Sequence, residues 1–554
     1  MRKTTPIDKV ADEWVKRLAE ISPIFATDIG YPGDETKLDD YSPEAEERMV
    51  HERNTVQKAL LEHKPQDLQD EVTLHAMRNR LDLDQEFYEA KLGQRDLNNI
   101  ASPAQGIRDI FDLMATNTEE QWSNIAGRMN DVRNALAGYI ETLTLGIHSK
   151  DTPARRQVEQ VINQVSEIAQ ADGFFNEFAK DAKLAEGEMP ESLRKDLAAA
   201  AKSATEAYDK FGRFLKEQLL PAATPKDAIG RERYELFSRY FVGSKIDIDE
   251  TYEWGIEELA RVTKEQEEVA NQILPGASVL EAIAHLETDP ARKLHGTDEL
   301  QAWMQRKSDE AIEHLGREHF DIAEPLRQLE CCIAPTQSGG VYYTGPNDDF
   351  SRPGRMWWSV PEGVTEFGTW RELTTVYHEG VPGHHMQVGQ AAYNRAELNA
   401  WRRLASWTSG HGEGWALYAE RLMAELGYLD DPGDRLGMLD GQRMRAARVV
   451  LDIGVHCEKP RLDCTGKWDF EYAFNFMKEN LHEHEKMVDF EVNRYFGWPG
   501  QAPSYKLGER FWRKLVADAK ARDGANFNLK DFHMKALNLG GIPLDTLSFA
   551  MLRS

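Results

Sequence analysis

Along most of this chain, apolar residues recur at three- and four-residue steps, the spacing that gives a helix one apolar face. The pattern predicts helices over about 7–20, 43–62, 68–91, 104–115, 119–148, 153–170, 191–218 and 249–271. Pro221 and Pro225 mark a turn after the long helix that ends near Leu220. Residues 297–314 read as a further helix, with Thr297 and Asp298 as cap candidates. Between about 331 and 360 the texture changes. Residues 338–346 and 354–360 are aromatic and β-branched runs bounded by Gly and Pro, which predicts short strands. Helical spacing then returns over about 399–427, 434–456 and 468–486. The expectation is a mainly α protein with a small β element ahead of the segment that carries the chemistry.

That segment is Tyr377-His378-Glu379-Gly380-Val381-Pro382-Gly383-His384-His385-Met386, followed about thirty residues on by Gly412-Glu413-Gly414-Trp415 and then Tyr418 and Glu420. Imidazoles, a free carboxylate and a second carboxylate on a later segment are the parts of a hydrolytic zinc site. The usual arrangement is H-E-x-x-H, with both histidines one turn apart on a single helix. Here His378 and His385 would lie about 10 Å apart along an unbroken helix, and His384 would point roughly 120° away. Neither placement allows two nitrogens to lie about 2 Å from one ion. Pro382 lacks the N–H that would bond the carbonyl of His378, and Gly383 can take backbone angles closed to other residues. The helix is therefore expected to bulge or break across 381–383. Looping out two residues brings His384 beside His378; looping out three brings His385 there as a substitute. His384 is the favoured partner.

The segment H-E-G-V-P-G-H-H-M-Q resembles the H-E-x-x-P-G-H-H signature of the bacterial domain of unknown function 885 family. The resemblance runs through most of the chain. It takes in Pro23, Ala26, Thr27 and Gly30 near the start, then Glu413-Gly414-Trp415-Ala416, Tyr418 and Glu420. Near the end it takes in Arg494-Tyr495, Pro499-Gly500-Gln501-Ala502, Tyr505 and Gly508. The resemblance implies a zinc peptidase of the gluzincin type, with His378, His384 and Glu413 as ligands. It also implies a large two-lobed helical body with a deep channel, similar to the angiotensin-converting-enzyme and neurolysin types. On that basis residues 1–330 form a helical N-terminal lobe and 331–554 a metal-site lobe, expected to fold as one continuous unit.

In such a site Glu379 is the general base beside the ligand His378. Glu420 shares a helix face with Glu413 and is expected to orient a ligand histidine or pair with an arginine. Donors to the developing oxyanion come from Tyr495, Tyr505 and His456. Arg494-Tyr495 resembles the Arg-Tyr pair of the angiotensin-converting type. Arg352, Arg355 and Arg494 are candidates to bind a substrate carboxylate. The strands ahead of the motif are read either as a substrate-binding edge or as a plain hairpin. Glu479 and His482 form an E-x-x-H without a second copy, so a di-iron bundle lacks half of its ligands.

Composition narrows the field further. The 554-residue chain carries a net charge of −27 spread along its length, which repels nucleic acid. No apolar run is long enough to span a membrane. The first residues carry no hydrophobic leader, so a cytoplasmic location is expected, with a leader removed before this start left open. Four cysteines, two of them adjacent, form no disulfide pattern and read as buried thiols of a reducing compartment. The expected function is a zinc-dependent (Zn2+) hydrolase of peptide or amide bonds in short substrates: an oligopeptidase, dipeptidase or carboxypeptidase. The alternatives are a non-haem iron or di-iron oxidoreductase and a catalytically inactive metal- or peptide-binding protein. The expected partner is a small peptide or amide; the oligomeric state is not set by the sequence.

Overall fold

Short polar side chains and prolines start the helices where the apolar period begins. Thr5 accepts a hydrogen bond from the Asp8 N–H in a capping box, Pro6 opens the first turn, and the helix Pro6–Ile21 buries Ile7, Ala11, Trp14 and Val15. Ser42 accepts from the Ala45 N–H ahead of Pro43–Leu61, and Thr118 forms a capping box with Gln121 ahead of Glu119–Ser149. The computed structural model describes residues 2–334 and 340–553. Helices dominate them, as the periodicity predicts.

Among the described residues five short strands interrupt the helices: β1 (Lys293–His295), β2 (Leu329–Ile333), β3 (Val341–Thr344), β4 (Gly354–Trp358) and β5 (Glu366–Gly368). β3 and β4 pair antiparallel, β2 joins β4 in parallel, and β1 pairs with β5. The two expected strands are thus present in shorter form; Ser338 and Gly339 lie outside the described residues. β1 and β5, of three residues each, are too short to show a period.

Several expected helices differ in detail; the stretch 104–115, for one, divides into Pro103–Asp109 and a tighter turn, Ile110–Leu113. The helix read at 297–314 is Gly296–Glu318, and neither Thr297 nor Asp298 caps it; Glu299 reaches back to the His295 N–H at 2.7 Å. The stretch 399–427 divides into a wide turn, Trp401–Ala405, and the helix Ser409–Glu425. The stretch 468–486 divides into Phe470–Asn480 and Glu485–Gly497, because His482 is drawn to Asp440 at 2.5 Å and His484 caps the second piece. The four cysteines are free, but only Cys331 is buried and Cys464 is exposed.

Apolar side chains gather into two cores. One takes residues from Ile7 to Leu81 together with residues from Tyr234 to Met551. The other is built mainly from Leu97 to Ala223. The expected boundary between 330 and 331 falls inside the first core, because Trp14, Val72 and Val262 pack in the same cluster as Trp415 and Trp512.

Candidate metal centre

The helix Thr369–Glu379 ends just after His378, and a new helix begins at His384. The intervening turn contains a cis Val381–Pro382 bond. Gly383 is packed so closely that a Cβ there would lie 1.8 Å from the carbonyl oxygen of His378. The Trp415 indole N–H donates to the carbonyls of Pro382 at 2.8 Å and Gly383 at 3.2 Å, which ties the turn to the helix Ser409–Glu425. The expected interruption is therefore a clean break with two helix ends facing each other.

The break brings His384 beside His378, with ring centroids 4.9 Å apart and planes nearly perpendicular. Nε2 of each ring lies 3.4 Å from the same Glu413 carboxylate oxygen. Ligand atoms of His378, His384 and Glu413 all fall within 4.8 Å of one another, the single such cluster of histidine, cysteine or carboxylate groups among the described residues. On the far side of His378, Nδ1 meets Glu420 Oε1 at 2.7 Å, and Thr374 donates to the other Glu420 oxygen at 2.8 Å. A proton held on Nδ1 by this carboxylate leaves Nε2 free to accept an ion, the usual support for a ligand histidine.

The charges agree with this geometry. Burial opposes a charged His378, yet Glu413 and Glu420 outweigh it and raise its pKa to about 9. Burial alone would raise Glu413, but His384 and His378 hold it well below the usual carboxylate range. The cluster thus draws positive charge to its centre, and two imidazoles with a carboxylate fit a divalent transition metal. Glu379 is buried beside it; burial raises its pKa, with His384 and His378 pulling the other way. Its Oε2 has no hydrogen-bond partner.

A cavity of about 1020 Å³ reaches the cluster at Glu413, and Arg494, Gln501, Tyr505 and Trp407 share its wall there. Tyr505 comes close because the helix Ser504–Asp523 meets Ser409–Glu425 through glycines: a Cβ on Gly508 would lie 2.1 Å from the Gly410 carbonyl oxygen.

Several expected site residues lie elsewhere. His385 cannot substitute for His384: its Nε2 faces the Leu326 carbonyl at 2.9 Å and its Nδ1 the Tyr343 hydroxyl at 3.0 Å. Tyr495 is sealed in the core with its hydroxyl between Glu491 and Arg448, away from the cavity. Successive helical residues point about 100° apart, so Arg494 reaches the cavity and its neighbour Tyr495 does not. His456 is also buried, with Nε2 donating to the Tyr495 carbonyl at 2.8 Å. Arg352 donates to the Gly345 carbonyl and Arg355 pairs with Glu330, both away from the cavity. Among the described residues, none of the β2–β4–β3 sheet lines it, which fits the plain-hairpin reading of these strands better than the substrate-binding edge. His482 of the E-x-x-H is engaged by Asp440 at 2.5 Å.

Two neighbours of the site were not legible in the sequence. Trp407 stands in the break of the 399–427 stretch, with its ring 6.0 Å from that of His384. Arg445 lies 4.0 Å from Glu420 and 5.7 Å from the Tyr505 ring. The first follows a broken period, which could have been noticed; nothing marks the second.

The model of the family described as "Bacterial protein of unknown function (DUF885)" matches residues 23–551. The chain belongs to this family. No curated protein matches this DUF885 member. Among solved structures, it is similar to a candidate lipoprotein from Colwellia psychrerythraea, with a TM-score of 0.86 and 24% identity over 99% of this chain and 98% of that one. It is also similar to a candidate lipoprotein of unknown function from Shewanella oneidensis, with a TM-score of 0.75 and 18% identity over 99% and 100% of the two chains. These likenesses support the fold. Both neighbours are described as lipoproteins, which names an anchored or exported class, so the expectation of a cytoplasmic DUF885 protein is withdrawn. No helix among its described residues is long and apolar enough to cross a membrane.

Proposed function

We propose that this DUF885 protein is a zinc-dependent hydrolase of peptide or amide bonds in short substrates. The observation that carries the reading is Glu379: a buried carboxylate with one unpartnered oxygen, next in sequence to a histidine whose Nε2 converges with His384 and Glu413. His378, His384 and Glu413 would hold the metal, which when bound would supply an acidified water and polarise the scissile carbonyl. Glu379, with Oε2 unpartnered, would take a proton from the attacking water and pass it to the leaving nitrogen. Glu420 and Thr374 keep His378 in one tautomer and orientation. Tyr505 lines the same cavity and is the candidate to donate to the carbonyl oxygen as charge develops, while Arg494, also on its wall, is held by Glu491 at 3.2 Å and Gln501 at 2.7 Å. The cavity, with residues of both apolar cores on its wall, supports the deep channel of a gluzincin with two helical lobes.

The same two-histidine, one-carboxylate set also serves non-haem iron. A free carboxylate poised as a base has no part in that chemistry and favours hydrolysis. A library of short blocked and unblocked peptides, incubated with protein of measured metal content, tests the proposal. Cleavage that tracks zinc supports it. Iron without cleavage moves the oxidoreductase ahead, and metal or peptide binding without turnover moves the binding protein ahead.

A further inference from the structure

Trp407 is 49% exposed, and it is the one tryptophan among the large apolar residues that stand exposed in the described structure. Exposing so large an apolar surface is unfavourable unless something covers it. It sits on the short connection before the helix Ser409–Glu425, where its indole is held from two sides. Its ring lies 6.0 Å from that of His384. Below it is Gly412, where a Cβ would stand 2.1 Å from the indole Cη2, so the ring lies flat on the turn that presents Glu413. It is therefore a fixed aromatic face at the cavity wall, touching the turn of one metal-site residue and the ring of another. Further along the same wall stand Trp401, Phe496 and Trp498. Trp401 and Phe496 are themselves buried, so it is the Trp407 face that a polar peptide would leave uncovered, whereas an aromatic side chain stacks on such a ring in offset or edge-on geometry.

We infer that Trp407 determines specificity, by stacking an aromatic side chain of a substrate residue next to the scissile bond. The inference rests on the proposed hydrolase reading and names the substrate class of that site: short peptides with an aromatic residue beside the cleaved bond.

The test uses the full chain with its metal content measured, and a set of blocked alanine hexapeptides in which a single Phe occupies each position in turn. Products are mapped by mass. Cleavage is expected within one residue of the Phe, with KM about tenfold below that of the all-alanine peptide. Trp407→Ala, checked for unchanged metal content, should raise KM for the Phe peptides about tenfold more than for the all-alanine peptide, so that the aromatic preference disappears. Trp407→Phe should restore most of the difference. Cleavage of all peptides alike, or an aromatic preference that survives Trp407→Ala, would overturn the inference while leaving the hydrolase standing. Failure to cleave any peptide despite a full complement of zinc would strike the hydrolase reading itself, and the inference with it.

Discussion

At the scale of single residues, the site separates groups that hold from groups that react. Glu379→Gln keeps the shape of the side chain and removes its ability to take a proton. Turnover of whichever peptide proves to be a substrate should fall about 10²–10⁴-fold, while bound metal stays near one equivalent. Loss of the metal in this variant would make Glu379 a ligand and reverse the assigned roles. His456 serves the fold instead. Buried and neutral, its pKa is lowered to about 4 by burial, against the pull of the Tyr495 carbonyl. Its folded value lies below the ordinary 6.5, so the unfolded chain takes the proton first as pH falls. The stability it confers is complete above pH 6.5 and is lost as pH falls towards 4. Urea midpoints should therefore fall with acid more steeply in the wild type than in His456→Asn over that window. The difference is at most about 3 kcal/mol, and parallel curves would contradict it.

At the scale of elements, the decisive features are a helix that stops and two helices that nearly touch. The stop was legible: Pro382 and Gly383 between histidines that no straight helix could join are a local signal, and the break lies where they stand. The close approach at Gly508 was not legible, because a glycine inside a helix does not reveal which neighbour it admits. For the same reason the pair Arg494-Tyr495 read as one functional unit, yet one residue faces the cavity and the other the core. Gly383→Ala would place a methyl group against the His378 carbonyl and Gly508→Ala one against the Gly410 carbonyl. Each is expected to cost roughly 1–3 kcal/mol. The first should also lower metal occupancy, and the second should lower turnover while metal is retained, because it moves Tyr505 away from Glu413. Calorimetric melting with metal analysis of both variants separates the two effects. Equal loss of metal in both would show that the second helix also builds the metal cluster.

At the scale of the whole molecule, the apolar period revealed a helical protein with a small sheet, but not which helices share a core. Residues 7 and 551 belong to one cluster while 97–223 form another; such long-range partnerships leave no periodic trace. Residues on both sides of position 330 share that first cluster. A fragment of residues 331–554 would lose Trp14, Val72 and Val262 from its core and expose their partners to water. It should show no cooperative thermal unfolding by circular dichroism, in contrast to the full chain. A cooperative transition in the fragment would mean that the lower half of the first core stands alone.

The account rests on one ion held by His378, His384 and Glu413, and elemental analysis of the purified protein tests this most directly. About one equivalent of zinc is predicted for the wild type and for His385→Ala, whose ring nitrogens are already engaged by Leu326 and Tyr343. His384→Ala should hold almost none. A wild type without zinc, or loss of the metal from His385→Ala and not from His384→Ala, would contradict it.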